Sequence, residues 1–177
     1  LAQQGFAAHN HELGLANVTF NIAMALHGLE RHEEALADIQ KAYDLLEKLG
    51  QQQGMAGGLG VMGMIYHKLG KRRAARRHLN QSLQISQATS SANLAISSIA
   101  EIAAMGMSGG NFQQAAYLLF FILGHPATSG TTRQNTEKLL EELRAELPPA
   151  VMNEAETAAS QRTLDELIAE LIGENEL

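Results

Sequence analysis

Apolar side chains recur at spacings of three and four residues over most of this chain, and nowhere do branched or aromatic residues alternate two by two. That pattern predicts helices and no sheet. Helical stretches are expected at about 15–28, 32–48, 55–69, 72–87, 93–107 and 112–123. Short turns separate them, such as Gly28-Leu29-Glu30-Arg31, Leu69-Gly70-Lys71 and Met107-Ser108-Gly109-Gly110. Turns of this length set neighbouring helices antiparallel. The prolines, Pro126, Pro148 and Pro149, all lie beyond the sixth stretch, so none interrupts the earlier helices. After His125-Pro126 a helix is expected at about 132–146, with Leu139, Leu140, Leu143 and Leu147 on one face. Pro149 is suited to open the next, to about Ser160. Thr163-Leu164-Asp165-Glu166 reads as a capping box for a last helix, Leu164–Ile172, which Gly173 stops.

The helices repeat in pairs. Ile22-Ala23-x-x-Leu26 aligns with Met62-Gly63-x-x-Tyr66 and Ile102-Ala103-x-x-Gly106. Ala35-x-x-x-Ile39 aligns with Ala75-x-x-x-Leu79 and Ala115-x-x-x-Leu119, so both intervals are 40 residues. Ala or Gly stands where two helices cross most closely, since a larger side chain would push the axes apart. Such a pair cannot bury its own apolar face and must stack on a neighbour.

This pattern resembles the tetratricopeptide repeat, best at Met62-Gly63-x-x-Tyr66, Gly70 and Ala75-x-x-x-Leu79. The resemblance covers residues 12–123; the leading Trp position reads Thr19, Leu59 and Ile99, and the closing Pro is missing. It implies an all-α, right-handed α-solenoid of three helix pairs, at about 12–50, 51–90 and 91–125. Residues 1–11 would end a preceding repeat helix, and residues 126–177 would form a helical C-terminal cap. The chain starts at Leu1 in helical sequence and is read as part of a longer protein. Its tail resembles the ends of large bacterial transcriptional regulators and signalling ATPases that carry such arrays. The implied role is a non-catalytic, cytoplasmic sensor or scaffold module that binds a protein, peptide or effector in a concave groove.

On that resemblance the groove collects Asn17, Asn21, Met24 and His27 from the first pair. Gly57, Gly60, Met64, His67 and Lys68 come from the second, and Ser97 and Glu101 from the third. Asn amides and imidazoles suit a peptide backbone, and methionines give an adaptable apolar surface. The Lys/Asn set that clamps a C-terminal carboxylate in chaperone-binding members is represented only by Asn17, Asn21 and Lys68. The alternative is a homo-oligomerisation module working through an exposed repeat face or the acidic tail.

Composition narrows the chemistry. The chain has 177 residues, 45% of them apolar and 18% charged, and no cysteine, which excludes disulfides, thiolate metal sites and a cysteine nucleophile. No apolar run approaches the length that spans a bilayer, the densest being Ala115–Leu123. Residues 1–130 hold 9 Lys/Arg against 8 Asp/Glu and residues 131–177 hold 4 against 11, placing the net charge of −6 in the tail. An acidic balance argues against direct nucleic-acid contact. Gly58-Leu59-Gly60-Val61-Met62-Gly63 spells a dinucleotide fingerprint, but a helix precedes it and no acidic residue lies between Glu47 and Glu101 to hold a ribose. His9-Asn10-His11-Glu12 lacks the convergent geometry of a metal site, because His9 and His11 point to different sides of a helix. No cofactor, metal or catalytic group is therefore expected. The cluster Lys71-Arg72-Arg73-Ala74-Ala75-Arg76-Arg77-His78 reads as a solvated outer face, with an acidic partner as the functional alternative.

Overall fold

A computed structural model describes the backbone of residues 2–173 and the side chains from residue 9 onward. Among the described residues there are nine helices and no strand. They are α1 (Ala2–Gly28), α2 (His32–Lys48), α3 (Gln52–Lys68), α4 (Arg72–Ala88), α5 (Ala92–Ser108), α6 (Phe112–Gly124), α7 (Gly130–Glu146), α8 (Pro149–Ser160) and α9 (Leu164–Gly173). The architecture is all-α and built on a helical repeat. No helix among the described residues is long and apolar enough to cross a membrane.

Helices α2 to α5 are each 17 residues long. The turns that set this pitch are alike. Glu30, Gly50, Gly70, Ser90 and Gly110 all have positive φ, between 51° and 77°. At each, the next residue's N–H donates to a carbonyl five positions back, as from Gln51 to Leu46 and from Lys71 to Tyr66. The left-handed residue's own N–H reaches three positions back, as from Gly70 to His67. This is the Schellman closure, which satisfies the last carbonyls of one helix and reverses the chain within three residues. Recurring every 20 residues, it makes the 40-residue pair two copies of one helix-and-turn unit.

One helix departs from the expected layout. Residues 1–11 were expected to close an earlier helix, with a new one starting near residue 15, but α1 runs unbroken from Ala2 to Gly28. Nothing between them reverses the chain: no proline or left-handed residue occurs, and Gly14 has open space where a Cβ would stand. Elsewhere the bounds agree with the sequence reading to within three residues.

The chain divides into two compact units, residues 1–85 and 86–177. In the first, α2 packs against both α1 and α3. Ala23, Ala35, Ile39, Met62 and Ile65 form its buried centre, with Phe20, Leu26, Tyr43 and Tyr66 packed around them. The close crossing expected at Gly63 is there, since a Cβ on it would stand 2.6 Å from Leu79 Cγ and 3.2 Å from the Ala75 carbonyl oxygen. Ser82 donates to the buried Ala56 carbonyl at 2.8 Å and ties α4 to α3.

In the second unit α6 is the central element. Its faces meet α5, α7 and α8, and Leu118, Leu119 and Ile122 are fully buried with Leu143 and Leu167. Ser129 caps α7 by accepting from the Thr132 N–H at 3.2 Å. The box at Thr163 closes reciprocally: Glu166 accepts from the Thr163 N–H at 2.9 Å, and the Thr163 hydroxyl accepts from the Glu166 N–H at 3.3 Å. Hydrogen bonding from Thr163, first of all from its backbone N–H, holds the Glu166 carboxyl below the ordinary carboxylate value.

Candidate functional site

The first unit leaves one side of α1 and α3 unused by packing on α2. On α1 this side carries Asn17, Asn21 and Met24, all exposed, and His27, half-buried with its ring 4.9 Å from His32. On α3 it carries Gly57, Gly60, Met64 and His67, all half-buried, and exposed Lys68. The two methionines and the two histidines are each 40 residues apart, so the repeat sets the same chemistry on neighbouring helices. Ser97 and Glu101 continue this register on α5 in the second unit: Ser97 is exposed and donates to the Asn93 carbonyl at 3.0 Å, and Glu101 is half-buried.

The face on α1 and α3 is close to electrically neutral. Between Glu12 and Glu30 α1 has no Asp, Glu, Lys or Arg, and α3 has only Lys68. Glu12 is itself occupied, accepting from Lys48 at 2.7 Å, a bond that holds its carboxyl below the ordinary value. Amides, imidazoles and thioethers on helices held rigid from behind can take up an uncharged, partly apolar segment; they do not concentrate the charge that phosphate or a run of carboxylates demands.

The basic cluster is partly structural. Lys71 sits over the Tyr66 ring at 5.9 Å, and Arg76 donates to Asn80 at 3.1 Å. His78 is buried against Tyr66, with ring centroids 4.9 Å apart, and its Nδ1 lies 2.8 Å from the Ala74 carbonyl oxygen. A carbonyl only accepts, so Nδ1 carries the proton and donates to it. Burial pushes the His78 pKa down. Arg73 and Arg77 are exposed.

Two features escape the sequence reading. The second unit has a cleft of about 640 Å³ among α6, α7 and α8. Its floor includes Phe121, Leu140 and Ala159, and Arg144, Glu156 and Arg162 stand at its rim. A second cleft, of about 550 Å³, surrounds Tyr117 with Glu154, Arg162 and Glu170; there burial, then Glu170, pushes the phenol up. The only signal in the sequence is the tail helices themselves, whose apolar positions look like ordinary core. The second feature is a row of exposed apolar residues, Leu15, Val18 and Ile22 on α1 and Leu29 in the turn just after it. No group of three or more His, Asp or Glu residues that could hold a metal occurs among the described residues.

Residues 14–88 match the family model described as Tetratricopeptide repeat, a span running from within α1 to the end of α4. No curated protein and no solved structure matches the chain.

Proposed function

We propose that this chain is a non-catalytic interaction module whose first unit binds a protein segment along α1 and α3. Tetratricopeptide repeats mediate protein–protein interaction, and the match over residues 14–88 supports that role here. The single observation that carries the reading is the nearly neutral polar and thioether face of α1 and α3, repeated in register: Asn17, Asn21, Met24 and His27, then Gly57, Gly60, Met64 and His67, with Lys68 as its one full charge. Its occupant is an uncharged peptide or helix. Asn amides meet the peptide's backbone groups, methionines take its apolar side chains, and the half-buried glycines leave room for close approach. The wider setting follows the resemblance of the tail: the C-terminal part of a cytoplasmic bacterial regulator, downstream of an ATPase or DNA-binding domain.

A displayed library of random dodecapeptides, selected on the whole chain, tests the face directly. Enriched peptides should be poor in charge, and Asn21→Glu or Met64→Glu should weaken them by at least about tenfold. Equal binding to the parent and both variants would overturn the assignment, as would failure to enrich any sequence.

A further inference from the structure

Charge along this chain is segregated more sharply than its net of −6 suggests. From Lys48 to Ala100 there are seven Lys/Arg and no Asp or Glu, while the rest of the chain holds six Lys/Arg against 19 Asp/Glu. Of the seven, Lys48 pairs with Glu12 and Lys68 sits on the α1 and α3 face. The other five, Lys71, Arg72, Arg73, Arg76 and Arg77, stand together at the start of α4.

The helix gains nothing from this placement. A helix start carries positive partial charge, so cations there are unfavourable. Arg72 with Arg76, and Arg73 with Arg77, are also like-charged pairs four residues apart, which repel. The repeat supplies an internal reference, since α2 has Glu33 and Glu34 in its first turn. The positions of the four arginines read His32, Glu33, Leu36 and Ala37 forty residues earlier, and Phe112, Gln113, Ala116 and Tyr117 forty residues later. The fold therefore does not require arginine there. Nor does packing: α4 buries Ala75, Leu79 and Leu83 on its inner side, and leaves Arg73, Arg77, Gln81 and Gln84 exposed in one outer row. A local rule broken without structural return marks a surface kept for a partner.

We infer that this row is a docking surface for a short acidic segment of another protein, with Arg73 and Arg77 at its centre. Three features select that occupant. Guanidinium groups take carboxylates in paired hydrogen bonds, and the chain's own carboxylates leave Arg73 and Arg77 exposed. A nucleic acid needs a positive surface that continues along its backbone. This one runs only from Lys71 to Arg77, about 9 Å of helix, in a chain that is otherwise acidic, and the row has no aromatic residue to stack on a base. An anionic membrane needs apolar side chains beside the charges, and those of α4 face inward. The row belongs to α4 and not to the α1 and α3 face, so either assignment can fail alone.

Fluorescence anisotropy tests the surface, with the whole chain and a labelled 12-residue peptide of alternating Glu and Ala. Binding should saturate at low salt and weaken by more than about tenfold between about 0.05 and 0.5 M salt. The same peptide with Gln in place of Glu should not bind. Arg73→Glu and Arg77→Glu should each weaken the acidic peptide by at least about fivefold. Helical circular dichroism should not change, since both side chains are exposed. Lys138→Glu makes the same charge change at an exposed position of α7, and should leave binding within about twofold. In the dodecapeptide selection this surface would add an acidic class, which Asn21→Glu and Met64→Glu leave bound. No binding of the acidic peptide at low salt, an equal loss in Lys138→Glu, or tighter binding of a 12-residue oligothymidylate or of phosphatidylserine vesicles would each overturn the proposal.

Discussion

The five turns use one backbone conformation with three kinds of residue in the left-handed position. Gly50, Gly70 and Gly110 take it freely, whereas Glu30 and Ser90 hold positive φ with a Cβ attached. That conformation costs a non-glycine residue roughly 1–2 kcal/mol, more than the roughly 0.4–1 kcal/mol of chain entropy that glycine forfeits on folding. Glu30→Gly and Ser90→Gly should each stabilise the protein by about 0.5–1 kcal/mol, and Gly70→Ala should destabilise it by about 1 kcal/mol. Urea midpoints at constant slope measure all three. The sequence places turns at Gly28-Leu29-Glu30-Arg31, Leu69-Gly70-Lys71 and Met107-Ser108-Gly109-Gly110 without singling out the residue that reverses the chain; the reversal falls on Glu30, Gly70 and Gly110. The 20-residue pitch decides which residue reverses, and glycine content alone does not.

At the scale of the element, helix crossings separate glycines that packing requires from those it tolerates. Gly63 in α3 and Gly106 in α5 both lie on the side toward the following helix. A Cβ at Gly63 overlaps the fully buried Leu79, whereas one at Gly106 would make an ordinary 3.6 Å contact with Ala115 Cβ. Gly63→Ala should cost about 1–3 kcal/mol, the range for overfilling a packed core. Gly106→Ala should be neutral or stabilising by up to about 1 kcal/mol through helix propensity. If denaturant unfolding ranked the two alike, the crossing would not be what retains Gly63. The alternation of Gly and Ala among positions 23, 63 and 103 was legible in the chain. That only one of these helices crosses too tightly for a methyl was not, because it depends on the rotamer Leu79 adopts opposite it.

For the whole molecule, ionisable groups set a stability that falls toward both pH extremes. His78 has a folded pKa below the ordinary ~6.5, so the unfolded chain takes up its proton first and stability declines as pH falls below about 6.5. Glu12, Glu34 and Glu166 are held below the ordinary carboxylate value by hydrogen bonds to Lys48, Arg31 and Thr163. Their contribution is present at neutral pH and is lost as pH falls below about 4.5. Tyr43 and Tyr117 are raised, chiefly by burial, so stability declines again above about pH 10. Thermal melts across pH should show His78→Gln removing the decline that sets in below about pH 6.5 while leaving the one that sets in below about 4.5. A decline there that survives the substitution would mean another group causes it.

Local chemistry determined the helices, their turns, the paired repeat and the capping box at Thr163, because apolar spacing and reversing turns act over a few residues. What the two apolar stripes of α1 do was beyond it. Both read as core in a linear chain, and only the placement of α2 on the Ala16–Ala23 side leaves Leu15, Val18 and Ile22 outward. The clefts beside Phe121 and Tyr117 likewise exist only where tail helices distant in sequence converge on α6. Burial is a property of what arrives from elsewhere in the chain, and no window of neighbouring residues contains it.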